Sequence, residues 1–204
     1  RPLVASFSLF PQTQLSEHFI IKRDGWLLAI VCPPPNSPEG ADTVETNLIV
    51  DRYQHMPGRY YDDFVVGDIY HHQPGRTVTQ QDNAWFTLLT MNTHPLHFDE
   101  EYAATTEFGK PLVASPLTVA IIVGMSVSDV SAKAIANLGW KEIRLTHPVF
   151  PGDTLYADTE VLDKRESKSR PNAGVVSVKT RGLNQHNTEV CVFERQILVP
   201  KRDN

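Results

Sequence analysis

The stretch SPLTVAIIVGMSVSDV, residues 115–130, decides the fold. Ser115 is a good N-cap, and Pro116 stands at the first helical position, where its missing N–H is not needed. The residues that follow are apolar on nearly every side, so the helix predicted over 115–130 has no face suited to water. The rest of the chain therefore has to enclose this helix.

The four segments after this helix are suited to enclosing it. They have the length of strands, several alternate apolar and polar residues, and turn-forming residues separate them. The segments are KEIRLTHPVF (141–150), TLYADTEVLDKRE (154–166), GVVSVKTRGLNQ (174–185) and TEVCVFERQILVP (188–200). A helical region followed by an antiparallel meander predicts an α+β fold, in which one curved antiparallel sheet wraps around a central apolar helix.

The segments before residue 115 predict one strand and two helices. A strand is expected at 64–71, and a helix at about 80–91, where Thr79 and Asp82 form a capping box. Asp99 can cap a second short helix in EEYAATTEF (100–108), which Gly109 would end.

Composition narrows the classes of function. With a net charge of −5 and a pI near 5.9, nucleic acid is not expected as a partner. No apolar run reaches the roughly 18 residues of a membrane helix. Cys32 and Cys191 lack CxxC partners, which favours a reducing compartment, and we expect the cytoplasm, or mitochondria in a eukaryote.

The chain divides near residues 55 and 56. The proline-rich stretch CPPPNSPEG (32–40) cannot continue a helix, and compact-domain signals begin only after it. We therefore expect residues 1–55 to be an extension of unknown order and residues 56–204 to be one domain.

The stretch MNTHPLH, residues 91–97, carries a resemblance to a known family. With Pro95, Leu96, His97 and the spacing to Ala103, it resembles the site motif of the MaoC-like (R)-specific enoyl-CoA hydratases, which have the hot-dog fold. The stretches DDFVVGD (62–68), GRTVT (75–79) and PVFPGDTL (148–155) support the resemblance. LTMNTHPLHFD (89–99), TEFGKPLV (106–113), ANLGW (136–140) and RESKSRP (165–171) are similar to a subgroup acting on mesaconyl-CoA, itaconyl-CoA or β-methylmalyl-CoA.

The resemblance implies roles for particular residues. His97 would be the acid/base, since an imidazole can take and return a proton near neutral pH. The family's catalytic aspartate falls on Asn92, whose amide can orient water or substrate but cannot act as a base. The family's motif asparagine falls on His94, and the family's motif glycine falls on Met91. Its His-Gly pair falls on Ala114–Ser115, so the backbone of Ser115 at the helix N-terminus would bind the thioester oxygen.

Several of these assignments have alternatives. His94 can contact substrate or only pack in its loop, Asn92 can be a left-handed helix end, and Asp99 can be an N-cap. The missing carboxylate could come from Asp99 or from the substrate itself. Arg165, Lys168 and Arg170 can bind CoA phosphates or a substrate carboxylate, or form a solvated turn, and Arg76 is a lesser candidate.

The predicted activity is hydration or dehydration of a short, branched, C5-dicarboxylyl enoyl-CoA. No cofactor is expected, since the CoA thioester is the substrate, and no metal is expected. His71, His72, His94 and His97 are the candidate metal ligands. His71 and His72 are adjacent, so on a strand they would point to opposite faces and could not bind one metal ion together. The family implies a homodimer or a dimer of dimers. One alternative function is a noncatalytic acyl-CoA-binding or partner subunit. Another is an acyl-CoA thioesterase.

Overall fold

The computed structural model describes residues 57–202 together with two short strands, β1 (Ile20–Arg23) and β2 (Trp26–Ala29). The chain forms two compact units, residues 1–54 and 55–204. In the first unit, β1 and β2 pair antiparallel, with Ile20 opposite Ala29. The other residues of the predicted extension lie outside the described ones.

The second unit contains one five-stranded antiparallel sheet. Its strands are β3 (Ile69–Thr77), β4 (Ala136–Leu145), β5 (Thr154–Glu166), β6 (Ala173–Leu183) and β7 (Glu189–Pro200). They lie in the order β3-β5-β6-β7-β4, so β3 and β4 are the two edges. Along β5 buried and exposed residues alternate, as expected for a sheet with one face on the core.

Three α-helices and three short helical turns accompany the sheet among the described residues. The α-helices are α1 (Gln80–Leu89), α2 (Glu100–Ala104) and α3 (Ser115–Met125). The 3₁₀ turns are Tyr61–Asp63 and Pro95–His97, and a π turn, Val127–Ser131, follows α3. No described helix is long and apolar enough to cross a membrane.

Helix α3 is the central helix of a hot-dog fold. Its Ile122 is fully buried in a core cluster with Leu155, Ala157 and Phe193 of the sheet. Helix and sheet approach so closely that a Cβ on Gly182 of β6 would stand 2.6 Å from the Ile122 side chain. The predicted α+β arrangement of a curved sheet around an apolar helix is therefore confirmed.

Tertiary contacts shift several predicted boundaries. The strand expected at 64–71 begins only at Ile69, because Val65 and Asp68 close a turn at Gly67, whose φ is +93°. The first strand of the meander covers 136–145 rather than 141–150. Residues 146–150 bond elsewhere, since the Val149 carbonyl accepts the Val113 N–H.

The two short helices also end earlier than predicted. Helix α1 stops at Leu89, and Met91 takes the left-handed conformation with φ +55°. Helix α2 stops at Ala104 rather than Phe108, because the hydroxyls of Thr105 and Thr106 bond back to carbonyls of the preceding turn. The capping box of Thr79 and Asp82 is confirmed.

A buried polar chain crosses the sheet under the end of α3. His72 Nδ1 lies 2.9 Å from Asp129 Oδ2, and His72 Nε2 lies 2.7 Å from the Thr159 hydroxyl, which lies 2.8 Å from that of Thr180. Arg59 also donates to the Asp129 carboxylate, at 3.3 Å. His72, Thr159 and Thr180 are buried, so this chain satisfies polar groups that would otherwise be costly.

The hydrogen bonds to Asp129 make the stability of the fold depend on pH in the acid range. Burial alone would raise the pKa of Asp129, but hydrogen bonds from His72 and Arg59 outweigh it and hold the pKa below its ordinary value. A lowered carboxyl pKa stabilises the fold above the unfolded-state value of about 3.9, and the effect is lost as pH falls through the lowered pKa. We expect Asp129→Asn to cost about 1 kcal/mol at pH 7, since Asp129 is partly exposed, and less at pH 2.5.

Urea unfolding at the two pH values checks this expectation. Asp163→Asn is the matched control, because Asp163 is exposed on β5 and forms no ion pair with a described residue. An equal cost at both pH values would show that the carboxylate charge of Asp129 is not what stabilises the fold.

Candidate active site

His97 lies in the 3₁₀ turn between α1 and α2, with its ring held by one backbone carbonyl. Its Nδ1 is 2.8 Å from the Leu112 carbonyl oxygen. A carbonyl can only accept, so Nδ1 carries the proton, and in the neutral ring the lone pair is on Nε2. The half-buried ring therefore presents a base at Nε2.

Asn83, fully buried on α1, ties this histidine to the central helix. Its side-chain amide donates to the His97 carbonyl at 2.7 Å and to the Leu112 carbonyl at 2.9 Å, and its oxygen accepts the Ala114 N–H at 2.9 Å. One side chain thus fixes the backbone of His97, the carbonyl that orients its ring, and the residue before α3. Sequence reasoning missed Asn83, although an asparagine inside a predicted helix is a signal for a hydrogen-bonding role.

The N-terminus of α3 has one free backbone donor. The N-cap is Ala114 rather than the predicted Ser115, because the Asn83 side chain takes the Ala114 N–H, a tertiary contact that the local sequence does not show. Ser115 is the first helical residue, and its N–H bonds to no other described residue. Pro116 has no N–H, so Ser115 supplies the donor that can face an oxyanion.

Ser115 lines a cavity of about 220 Å³ at this helix end. The other lining residues are Phe108, Leu112, Val113, Thr118, Leu145, Thr146, His147, Pro148 and Val149. His97 is not one of the lining residues, but it is bonded to one of them, because the Leu112 carbonyl holds its imidazole. Ser115 therefore supplies a helix-end donor to one small, partly apolar space, and a residue that lines this space, Leu112, also orients the His97 ring.

Asn92 lines a different hollow, an apolar one of about 430 Å³ beside α1 that also contacts Leu88, Met91 and Phe98. Its side-chain oxygen accepts the His94 N–H at 3.2 Å, which leaves the amide NH₂ available to a ligand. The left-handed position at the end of α1 belongs to Met91, so the reading of Asn92 as the left-handed residue is wrong.

Met91 has a left-handed backbone conformation, which is less favourable for methionine than for glycine. The glycine of the family motif falls on this position. A side chain in the left-handed region costs about 1–2 kcal/mol, and Met91 is 86% exposed, so little packing is lost on truncation. We expect Met91→Gly to raise the free energy of unfolding by about 1 kcal/mol. Met91→Ala, which keeps the Cβ, is the control, and denaturant titrations measure the free energy of unfolding of both variants. An equal gain in both would refute the explanation by backbone conformation.

His94 and Asp99 both stabilise local backbone. His94 Nδ1 accepts the Leu96 N–H at 3.1 Å, and its ring centroid lies 5.8 Å from that of His97. Asp99 accepts the Tyr102 N–H at 2.9 Å, which confirms the predicted N-cap of α2. These contacts supply the structural roles considered for the two residues, while a contact with substrate stays a prediction.

The predicted anion-binding residues are not brought to His97 within the chain. Arg165 stands at the far end of β5, and Lys168 and Arg170 follow in the turn. Leu155 at the start of that strand shares a core cluster with Val149 of the cavity lining, and it lies ten residues from Arg165, roughly 33 Å at about 3.3 Å per residue. Arg76 is engaged elsewhere, since it donates to Asp82 Oδ1 at 2.7 Å.

No group of three or more metal-binding side chains occurs among the described residues. Of the four histidines considered as ligands, His71 is exposed and lies 2.7 Å from Asp158, whereas its neighbour His72 is buried against Asp129. The two rings of the adjacent pair therefore lie on opposite faces of β3, as the strand pattern predicted.

The fold, together with a histidine in the His97 position beside the end of the central helix, defines a MaoC-like hot-dog protein. Residues 39–204 match the family model described as mesaconyl-CoA hydratase. The chain belongs to this family.

Named relatives agree with this assignment. The chain is 37% identical over 146 residues to mesaconyl-CoA hydratase of Cereibacter sphaeroides, and 35% identical over 147 residues to β-methylmalyl-CoA dehydratase of Chloroflexus aurantiacus. Each match covers 72% of this chain and 42% of the relative, so the chain spans less than half the length of these two proteins. With (R)-specific enoyl-CoA hydratase of Aeromonas caviae it is 35% identical over 117 residues, 57% of this chain and 83% of that one.

Solved structures show the same fold. A putative MaoC domain protein dehydratase from Chloroflexus aurantiacus superposes with a TM-score of 0.69 at 34% identity, over 74% of this chain and 42% of that one. A protein from Archaeoglobus described as a monoamine oxidase regulatory protein gives 0.64 at 32% identity, over 72% of this chain and 99% of that one. A Mycobacterium tuberculosis protein described as a double hot-dog fold gives 0.67 at 25% identity, over 72% of this chain and 46% of that one.

Proposed function

We propose that this protein adds water to, or removes it from, the double bond of a short, branched enoyl-CoA that carries a second carboxylate. The observation that carries the proposal is the bond between His97 Nδ1 and the Leu112 carbonyl, which leaves the lone pair of the neutral ring on Nε2. The relatives named for mesaconyl-CoA and β-methylmalyl-CoA support the C5-dicarboxylyl class. We expect the protein to work in the cytoplasm without a cofactor.

In the proposed reaction, His97 Nε2 takes a proton from water as the water oxygen bonds to the β-carbon of the enoyl thioester. Negative charge develops on the thioester oxygen, where the Ser115 N–H and the positive end of the helix dipole stabilise it. A role for the free NH₂ of Asn92 in orienting water or the acyl group stays a prediction, since Asn92 lines a different hollow from Ser115. A proton delivered to the α-carbon completes the hydration.

The test follows the loss of enoyl-thioester absorbance with mesaconyl-CoA, itaconyl-CoA and crotonyl-CoA. Turnover of a dicarboxylyl substrate, with a kcat/KM at least about 10-fold above that for crotonyl-CoA, supports both reaction and substrate class. Preference for crotonyl-CoA would refute the C5 class. Binding of CoA esters without turnover would favour the noncatalytic subunit instead, and release of free CoA would indicate a thioesterase.

We also propose that the working form is a homodimer or a dimer of dimers. Edge strand β4 exposes Leu138, Trp140, Ile143 and Leu145, an unusual amount of apolar surface for a free edge. The chain spans only 42% of mesaconyl-CoA hydratase of Cereibacter sphaeroides and 46% of the protein described as a double hot-dog fold, which supports a second hot-dog unit beside the first. If Arg165, Lys168 or Arg170 contacts the CoA, it would have to do so from a partner copy of the chain. Sedimentation equilibrium measures whether the protein is a dimer or a dimer of dimers.

A further inference from the structure

His147 is a second histidine at the cavity, and none of the assignments made above uses it. It follows β4 and lines the same cavity of about 220 Å³ as Ser115. Its Nδ1 lies 2.7 Å from the Glu189 carbonyl oxygen, so Nδ1 carries the proton and Nε2 is the group left to exchange a proton. This is the same arrangement as in His97, whose Nδ1 also donates to a backbone carbonyl.

The backbone around His147 is fixed by strand β7. The Thr146 N–H donates to the Val190 carbonyl at 3.1 Å, and the Thr146 hydroxyl donates to the Glu189 carbonyl that also holds the His147 ring. Three bonds to two neighbouring carbonyls thus hold an exposed residue in place. These bonds fix the orientation of the ring at the cavity, and a fixed orientation favours proton transfer to a bound ligand.

The other side chains at this helix end leave room for a polar ligand. Thr118, one turn into α3, is only 2% exposed and lines the cavity, and its hydroxyl bonds to no other described residue. The Ser115 N–H and the Thr118 hydroxyl are thus two hydrogen-bonding groups at the cavity without a partner in the described part of the chain, and His147 adds an imidazole. The charged side chains on neighbouring segments are Lys110 before α3, Arg144 on β4 and Glu189 on β7.

We propose that His147 is the second proton-transfer group of this site, delivering the proton to the α-carbon while His97 activates the water. The inference rests on the hydratase reaction proposed above. It answers a need of that reaction, since Asn92 stands where the family has an aspartate and an amide cannot exchange a proton near neutral pH.

The proton balance runs through both histidines. His97 Nε2 takes a proton from water, the water oxygen bonds to the β-carbon, and the electron pair of the double bond moves onto the thioester as an enolate. His147, as imidazolium, donates its Nε2 proton to the α-carbon, and the enolate pair forms the new C–H bond. His97 then releases its proton to solvent and His147 takes one up, which restores the starting state.

The experiment measures kcat and KM for mesaconyl-CoA against pH in the full chain, with His147→Gln, His97→Gln and, as control, His186→Gln. His186 is an exposed histidine in the β6–β7 turn whose ring bonds to no described residue. We expect a bell-shaped kcat profile for the wild type and for the control. His147→Gln should lower kcat about 100-fold with KM changed less than about 3-fold, and should remove the alkaline limb.

Each other outcome counts against the proposal in a distinct way. If His147→Gln keeps the wild-type kcat and both limbs, or raises only KM, His147 transfers no proton in the reaction and the inference is wrong while the hydratase function stands. If the wild type turns over none of the enoyl-CoA substrates, the proposed function is refuted and this inference with it. Thermal unfolding of His147→Gln should match the wild type, since the ring is exposed.

Discussion

His97→Gln is expected to lower kcat for enoyl-CoA hydration by about 10³-fold, the largest effect on activity of any single change in this chain. Glutamine is similar in size and its amide can still donate to the Leu112 carbonyl, so the loop should keep its shape. What glutamine cannot do is take a proton from water. The loss should therefore fall on kcat, with KM for the CoA thioester nearly unchanged.

A matched control for this substitution lies on the outer face of β3. His71 is an exposed histidine bonded to Asp158, and His71→Gln should leave kcat at the wild-type value. Steady-state assays with a dicarboxylyl enoyl-CoA distinguish the two variants. A His97→Gln protein that retains more than about a tenth of wild-type kcat would remove His97 from the acid/base role.

Asn83→Ala is expected to have the largest effect on stability, with a loss of about 3 kcal/mol or more in the free energy of unfolding. The substitution leaves the Ala114 N–H unpaired, which costs about 1–3 kcal/mol, and removes one donor each from the His97 and Leu112 carbonyls, at about 1 kcal/mol apiece. The Leu112 carbonyl keeps its bond to the His97 ring. The His97 carbonyl keeps a weaker bond from Gln80, at 3.1 Å. Because the same side chain positions His97, kcat should also fall in protein that is still folded.

Asn83→Asp separates the contacts of this residue. The carboxylate can still accept the Ala114 N–H, but its second oxygen would face the two carbonyl oxygens with no proton to donate, so Asn83→Asp should be no more stable than Asn83→Ala. Asn172→Ala in the exposed β5–β6 turn is the control and should stay within about 0.5 kcal/mol of wild type. Urea unfolding and kcat are measured on the same preparations, and wild-type stability in Asn83→Ala would contradict the role assigned here.

The architecture could be predicted because its signals are local or periodic. The apolar helix at 115 and the alternating strands after it leave few ways to bury their surfaces, and the predicted strand 154–166 has the bounds of β5. The caps at Thr79 and Asp99 were predicted because capping residues act on backbone within three residues of themselves.

Other boundaries depended on contacts that are distant in sequence. Ser115 has the residue type of an N-cap, yet Asn83, more than 30 positions away, takes the Ala114 N–H and moves the cap by one residue. The strand expected to reach Phe150 ends at Leu145, because the Val149 carbonyl bonds to the N–H of Val113, in the segment before α3. Such competition between partners is not visible in a local pattern.

The candidate site shows the same division. The motif around His97 identified the acid/base candidate from sequence alone, because the spacing of Pro95, Leu96 and His97 is characteristic of the family. Only the tertiary structure showed which imidazole nitrogen is free, since the Leu112 carbonyl that selects it comes from a different segment. It likewise brought His147 to the cavity at Ser115 and left Arg165, Lys168 and Arg170 at the opposite end of the sheet. Sequence determines which groups are present and their local conformation, whereas distances between segments are decided by how the whole chain packs.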